Sequence, residues 1–317
     1  MDNKIFDCII LGGGPAGLSA ALYAARGNIK TAIIDITSAG GQPVNYLEIE
    51  NYLGFPKING FELAEKFEEH VDKFNVEKFI NEEIQSINLT DDVKTITTLK
   101  GKYCAKSIII ATGAHSALLG IKGEKEYKGR GVSYCAVCDG AFYKEKVVVV
   151  IGGGNSALEE AQYLTKFAKK VYVMHRRDEF RADRIVQARA FGNEKIEFIF
   201  NSIPTEIIGE NNKVVKIQYK NVQNGNIETL DVDGVFPYIG FSPNTDFING
   251  QVMQDEKGFI ITDETMQTNI RGVFAAGDVR KTPLRQVITA VSDGAIAGAF
   301  VVKYIEELTL KEKSIRI

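Results

Sequence analysis

The amino-acid sequence predicts an α/β chain made of two copies of one supersecondary unit, the second inserted into the domain that the first begins. Three observations carry this expectation. An apolar, β-branched run leads into a glycine cluster and a helix at residues 5–27, and the same phrase returns at residues 146–167. Buried-strand patterns at 103–114 and 272–278 lie on either side of the second copy. Strand, G-x-G-x-x-G and helix in that order make a dinucleotide-binding unit. The fold class is therefore two Rossmann-like dinucleotide-binding domains, one discontinuous, with small antiparallel β segments.

The first strand, IFDCIIL, is apolar on both faces, and Gly12, Gly14 and Gly17 follow at once in GGGPAG, with Pro15 and Ala16 between them. These glycines permit a tight turn and let a pyrophosphate approach the helix N-terminus, where unpaired N–H groups and the dipole favour negative charge. The helix LSAALYAARG closes at Gly27, and the next strand, TAIIDI, delivers Asp35 at 23 residues beyond Gly12, where an acid accepts hydrogen bonds from a ribose diol. Polar and glycine residues on loops flanking apolar strands extend this first site: Gly41 and Gln42 in GGQ, Asn51 in ENYLG, Ala111, Thr112 and Gly113 in the ATG turn, and Gly277 and Asp278 in GVFAAGD. The last precedes a long helix reading from LRQVITAV, whose N-terminal donors suit negative charge on a reduced isoalloxazine ring. The segment VEKFINEEIQSINLTDDVKTITTLKGK alternates in short runs and predicts a small antiparallel sheet covering this site.

In the second copy, KVVVVI runs into Gly152, Gly154, Asn155, Ser156 and Ala157 as G-x-G-x-x-A, and the helix ALEEAQYLTKF follows. Its next strand delivers His175 at 23 residues beyond Gly152, the offset that carried Asp35 in the first copy. The acid has become His-Arg-Arg. An acid repels a ribose 2'-phosphate, whereas Arg176, Arg177 and the nearby Arg181 form charge-assisted bonds to it, so the second site should select NADP over NAD. Residues 1–114 and 245–317 then form the first nucleotide domain, and 115–244 form the insert. The two crossings, near His115 and Pro243, make a double hinge.

A chain of 317 residues with 44% hydrophobic content fills two cores without disulfide staples. Its net charge of -3 gives no basic excess for nucleic acid or an anionic membrane. The apolar run near the N-terminus is far shorter than the ~20 residues that cross a bilayer, and no other segment is expected to span one. With four cysteines and no export signal, the chain reads as cytoplasmic.

In SYCAVCDG, Cys135 and Cys138 stand three positions apart with Asp139 directly after. Such a pair is a redox couple, half of a metal site, or two core side chains. Metal binding needs three or four ligands and no second C-x-x-C or C-x-x-H exists, so no metal is expected. Cys8 and Cys104 fall inside strand patterns and read as small core hydrophobes. Thiol–disulfide exchange suits the spacing of Cys135 and Cys138, with Asp139 placed for proton transfer.

GGGPAG, GGQ, the ATG turn, CAVCD, GGGNSALEEA, HRRDEFRA, AAGD and RQVITAVSDGAIA occur in one order over essentially the whole chain, and in this the sequence resembles the low-molecular-weight thioredoxin reductases, FAD- and NADPH-dependent flavoproteins. The resemblance implies FAD held by Gly12 to Ala16, Asp35, Gln42, Asn51, Asp278, Arg285, Gln286 and Val287. It implies NADPH held by Asn155, Ser156 and Glu159 near the pyrophosphate and by His175, Arg176, Arg177 and Arg181 toward the 2'-phosphate. It further implies that Cys138 faces the flavin, Cys135 attacks thioredoxin, Asp139 is the acid-base residue and the protein is a homodimer. Two departures stand out: Val137 replaces the family's usual threonine, and Asp35 stands where glutamate or a neutral residue is common. A related branch that draws electrons from ferredoxin lacks the second glycine fingerprint and the arginine cluster, both present here. Reduction of another dithiol protein, a thiol oxidase using oxygen, and a non-enzymatic redox sensor are the competing readings. Because nicotinamide and disulfide would share one domain and one flavin, the insert is expected to rotate about its two crossings between half-reactions.

Overall fold

The structure is a computed structural model that describes residues 4–37, 40–46 and 49–315, with the side chains at 137, 138 and 312–315 outside that description. The chain divides into two compact units, Met1–His115 with Ser242–Ile317, and Ser116–Phe241. Both are α/β, and each is described by itself.

The first unit opens with β1 (Ile5–Leu11), α1 (Pro15–Arg26) and β2 (Thr31–Asp35), then α2 (Gly60–Val71), β3 (Val76–Ile80), β4 (Ile84–Asn88), β5 (Lys94–Thr98) and β6 (Lys102–Ile110). Its sheet runs β3-β2-β1-β6-β5-β4. The pairings β3-β2, β2-β1 and β1-β6 are parallel, whereas β5 and β4 add antiparallel beyond β6. The residues expected to form a separate small sheet therefore belong to the main one. Helix α2 supplies the crossover that lets β3 pair parallel with β2, and the turn at 89–93 allows only an antiparallel hairpin for β4 and β5. The continuous apolar reading of β1 follows from burial on both faces: Ile9 and Leu11 pack in one core cluster, Cys8 and Ile10 in another beneath α1.

The chain leaves this unit through β7 (Ala114–Ser116). The second unit holds α3 (Ala136–Asp139), β8 (Val147–Gly152), α4 (Asn155–Leu164), β9 (Lys170–Met174), α5 (Arg184–Phe191), β10 (Ile196–Ile199), β11 (Ser202–Glu210), β12 (Lys213–Asn221), β13 (Ile227–Asp231) and β14 (Gly234–Tyr238). A parallel sheet β10-β9-β8-β14 carries α4 and α5 against Val148 and Val150, and the antiparallel sheet β11-β12-β13 packs against Val149 and Ile151 on its other face. The alternation of β8 thus serves two cores.

The chain returns through β15 (Phe241–Pro243), paired with β7 as a two-stranded ribbon. It completes the first unit with β16 (Val273–Ala275) and α6 (Val287–Ile315). Nine-residue β6 serves two neighbours on one edge: Lys102–Ala105 face β5 and Ile108–Ile110 face β16. Helix α6 corrects one expectation, since Val287–Lys311 is apolar enough by length and composition to cross a membrane, with mean hydropathy 1.4. Its apolarity serves a helix–helix contact here. Gly294 and Gly298, one turn apart, let α6 press onto the backbone of Ala16 and Ala20 in α1, while Ala290, Ala297 and Val301 are buried in the same core. A second correction concerns Cys104, which is only partly buried on β6, whereas Cys8 is fully buried.

Candidate functional site

In the first unit, the glycine turn is built by close approach. A Cβ on Gly12, whose φ is +108°, would collide with the Ala111 carbonyl, and one on Gly17 would collide with the Gly12 carbonyl. The turn is therefore clamped between β1, the ATG segment and α1, with Gly12 N–H donating to Ile34 O at 2.8 Å. Gly14 is the N-cap of α1 with no side-chain cap, and Pro15 takes the first helical position. Among the described residues no side chain caps the first-turn amides, which is the donor set a pyrophosphate requires.

Asp35 ends β2 beside this turn. Its Oδ2 accepts from Gly13 N–H and its Oδ1 accepts from Thr37 N–H at 2.8 Å. Gly41 lies over Gly14, its neighbour Gly40 N–H donates to Gly13 O at 2.8 Å, and Gln42 Nε2 donates to Ala114 O at 2.7 Å. Asn51 Nδ2 donates to Gln286 Oε1 at 2.9 Å, joining two predicted residues 235 positions apart.

Gly277, φ +77°, packs on Ala16, and its N–H donates to Asp293 Oδ2 at 3.1 Å. Asp278 sits in the short turn after β16, where burial, opposed by the Arg285 guanidinium and reinforced by Asp293, pushes its carboxyl up to about 6. Arg285 stacks over the Phe259 ring at 4.0 Å and donates from Nη2 to Arg280 O at 3.3 Å, and burial lowers its guanidinium. Val287 begins α6.

Thr112 and Gly113 meet a residue that the sequence reading missed. Asn244 Nδ2 donates to Thr112 O at 2.8 Å, Thr112 Oγ1 donates to Asn244 O at 2.8 Å, and Asn244 Oδ1 lies 2.7 Å from His115 Nδ1. The two crossing segments are thus pinned together at their ends in the first unit. No motif announces such a clamp, because its members are 129 to 132 positions apart.

In the second unit, Gly152 is confined by Tyr238 O and the Ala157 side chain, and Gly154 is the N-cap of α4, again with no side-chain cap. A Cβ on Gly154 would meet nothing within 4 Å. Asn155 is held by Asp183, donating from Nδ2 at 2.8 Å and accepting the Asp183 amide at 2.7 Å. Ser156 and Glu159 lie on the exposed side of α4.

His175 is buried against Phe180, and its ring fills the space that a Cβ on Gly153 would need. Burial, then Arg181, Arg176 and Arg177, lower its pKa, so the ring is neutral at pH 7. The three arginines themselves are exposed, and Arg181 N–H donates to Gly153 O at 2.7 Å, which ties the arginine segment to the glycine turn. Of the predicted four, the three arginines share one exposed edge, while the His175 ring is buried under the glycine turn with its Nε2 unpartnered among the described residues.

Cys135 is disulfide-bonded and caps the one-turn helix α3, its O accepting from Asp139 N–H at 3.1 Å. The Cys138 side chain lies outside the described residues. Ser133 Oγ accepts the Cys135 amide at 3.1 Å, and Ser133 N–H is bound to β14 through Val235 O at 3.0 Å. Tyr134 donates at 2.7 Å to Glu124, a buried carboxylate that also takes the Leu119 and Gly120 amides. Asp139 acts on Tyr143, whose phenol burial and the charges of Asp139 and Asp233 push up to about 12. By contrast, burial pushes the Cys8 thiol up to about 12, leaving it no thiolate at neutral pH.

A disulfide beside one nucleotide turn, in a chain with a second such turn, is the arrangement that comparison with known proteins resolves. Residues 6–294 match the model of the pyridine nucleotide-disulphide oxidoreductases. The chain belongs to that family. Among pyridine nucleotide-disulphide oxidoreductases it is 48% identical to a thioredoxin reductase of Listeria innocua over 97% of this chain and 96% of that one. It is 46% identical to a thioredoxin reductase of Bacillus subtilis over 98% of each. A crystal structure of Lactococcus lactis thioredoxin reductase in its FR conformation superposes with a TM-score of 0.92 at 47% identity, covering 95% of this chain and 99% of that chain. Membership makes the protein an oxidoreductase that works with a flavin and a pyridine nucleotide.

Proposed function

We propose that the chain is a thioredoxin-disulfide reductase, homodimeric and cytoplasmic, that takes electrons from NADPH and delivers them by way of FAD and the Cys135–Cys138 pair to the disulfide of thioredoxin. The observation that carries this reading is the disulfide at Cys135, displayed on a turn beside a nucleotide unit whose outer edge is three arginines. The names borne by the relatives support thioredoxin as the partner.

In this reading, residues 1–114 with 245–317 are the FAD domain and 115–244 the NADPH domain. The uncapped first turn of α1, Asp35, Gln42, Asn51, Asp278, Arg285, Gln286 and Val287 would hold FAD; Gly12, Gly14 and Gly17 leave it room. Bound flavin supplies a two-electron carrier between a nicotinamide and a disulfide. The uncapped first turn of α4, Asn155, Ser156 and Glu159 would hold the NADPH pyrophosphate, and Arg176, Arg177 and Arg181 would hold its 2'-phosphate, with His175 beside them.

In this reading Cys138 is the partner of Cys135, and Cys8 and Cys104 are free thiols. Once the pair is reduced, the Cys135 thiolate attacks the thioredoxin disulfide; that S–S bond breaks and a mixed disulfide forms. The Cys138 thiolate then attacks Cys135, restoring the pair and expelling the second thioredoxin thiolate. Asp139 moves the proton that the departing sulfur requires. Disulfide and nicotinamide sites both belong to the second unit, while the flavin belongs to the first, so the reading requires the second unit to turn about β7 and β15 between half-reactions.

Following NADPH oxidation against a panel of purified thioredoxin-like proteins, beside NADH, tests the proposal. Thioredoxin should give the highest kcat/KM, and NADPH should exceed NADH by about 100-fold, the value of two charge-assisted hydrogen bonds. Preference for another dithiol protein, or turnover on oxygen alone, overturns it.

A further inference from the structure

Residues 119–135 carry the chain of the second unit up to the disulfide turn, and one side chain holds both ends of that path. Glu124 is 1% exposed. Its Oε1 accepts the Leu119 amide at 2.8 Å and the Tyr134 hydroxyl at 2.7 Å, and its Oε2 accepts the Gly120 amide at 2.7 Å. Two buried oxygens thus take three donors, two from the segment that follows β7 and one from the residue that precedes Cys135. Burying an acid is costly unless donors of this kind surround it. The proton-transfer and thiol roles described above use none of this cluster.

The base on which Glu124 stands is itself fixed. Gly123, φ +86°, lies so close to β11 that a Cβ there would come within 2.0 Å of Ile207 O, and Ile207 N–H donates to Lys122 O at 2.9 Å. Further along, the chain is tied to β14: Val235 N–H donates to Gly131 O at 2.8 Å and Ser133 N–H donates to Val235 O at 3.0 Å. Between these anchors the loop closes on itself, Val132 N–H donating to Tyr127 O at 3.0 Å. Beyond the Ser133 anchor, Tyr134 is gripped by its side chain, with Glu124 at the hydroxyl and Lys128 Nζ 5.8 Å from the centre of the ring. The chain therefore reaches Cys135 from its N-terminal side with backbone and side chain both held.

Closing a disulfide within a C-x-x-C pair costs the freedom that each cysteine loses when the two sulfurs meet. A Cys135 already ordered by its neighbour loses less, so closure is favoured. We propose that Glu124, through Tyr134, is a positioning residue for the redox pair: it orders Cys135 ahead of closure, which lowers the reduction potential of the pair and speeds the resolution of mixed disulfides. In that resolving step the Cys138 thiolate attacks the Cys135 sulfur, the bond from Cys135 to the foreign sulfur breaks, and the foreign thiol leaves as its thiolate. The inference rests on Cys135 and Cys138 forming the redox pair of the proposed function, but its test needs no thioredoxin.

Holoenzyme is equilibrated anaerobically in mixtures of oxidised and reduced dithiothreitol, quenched in acid and alkylated, and the peptide carrying Cys135 and Cys138 is read by mass spectrometry. Reduced samples mixed with oxidised glutathione are read for the same peptide bearing one glutathione. Tyr134→Phe deletes only the hydroxyl, and Glu124→Ala removes its acceptor. Each should shift the equilibrium about tenfold toward the dithiol, the scale of ordering one residue, which is about 30 mV in a two-electron couple. Each should also accumulate the glutathione adduct, which wild type resolves. Glu124→Gln keeps an oxygen for Leu119 and Tyr134 and should stay near wild type. If Glu124→Ala does not fold, Tyr134→Phe decides alone. A lowered Tm with a wild-type equilibrium marks a merely structural role and overturns the proposal. So does a shift in Glu124→Gln as large as that in Glu124→Ala, which would assign the effect to Gly120. A wild-type pair that ignores the buffers ends the redox reading and this inference together, whereas a responsive wild type with unchanged variants ends this inference alone.

Discussion

Asp278 and Asp35 are both acids at strand ends in the first unit, and their surroundings set them apart. Asp35 is fixed by two backbone amides beside an open helix terminus, whereas Asp278 is half-buried near a second acid, Asp293, with only Arg285 in opposition. A folded-state pKa raised to about 6 means that Asp278 favours folding when protonated. That contribution is fully present below the unfolded value near 4 and is lost as pH rises through about 6. In flavin-free protein, Asp278→Asn should therefore leave stability at pH 4 unchanged and raise it by about 2 kcal/mol at pH 8, measured by urea unfolding. In the proposed function the arginines act by contact with the nucleotide. Arg176→Ala and Arg177→Ala should each lower kcat/KM for NADPH by about 10-fold while leaving NADH unchanged, because each removes one charge-assisted bond to a group that NADH lacks. That both residues stand on an exposed segment behind a glycine turn was legible in the sequence from their offset. The role of His175 beside them was not, since nothing in a one-dimensional pattern distinguishes a ring under the site from one pointing into it.

Two strand–turn–helix elements do the binding in this account, and their glycines divide by physical cause. Gly17 has the Gly12 carbonyl where a Cβ would lie, and the backbone cannot move without separating α1 from β1. Gly17→Ala should destabilise the protein by about 2 kcal/mol or more, visible as a lowered Tm with and without added flavin. Gly154 faces open space in an ordinary extended conformation, φ -101° and ψ -178°. Gly154→Ala should keep the wild-type Tm yet raise KM for NADPH about 10-fold, because the added methyl occupies room left for the pyrophosphate. These elements were readable because periodicity and punctuation are local: an apolar strand, three glycines, a helix. The β4–β5 hairpin was misplaced for the opposite reason. Its alternating pattern is compatible with a separate sheet or with the edge of the main one, and only the long-range pairing of Thr95 with Cys104 and Ile96 with Tyr103 decides. Helix α6 hid its role in the same way, its hydropathy being equally suited to lipid and to the glycine-paired contact with α1.

At the scale of the whole molecule, the sequence repeat was enough to anticipate two units, but the pairings between distant residues inside the first unit had no local signal. Asn244 pairing with Thr112 and His115, and Asn51 with Gln286, connect residues 129 to 235 positions apart. The catalytic account depends on the Cys135 disulfide being the exit for electrons. The most direct measurement follows NADPH oxidation, flavin absorbance and thioredoxin thiols together in anaerobic mixing of wild type, Cys135→Ser and Cys138→Ser. The account predicts continuous turnover in wild type, and in both variants a flavin that NADPH still reduces while thioredoxin stays oxidised. Thioredoxin reduction at the wild-type rate by either variant would contradict it.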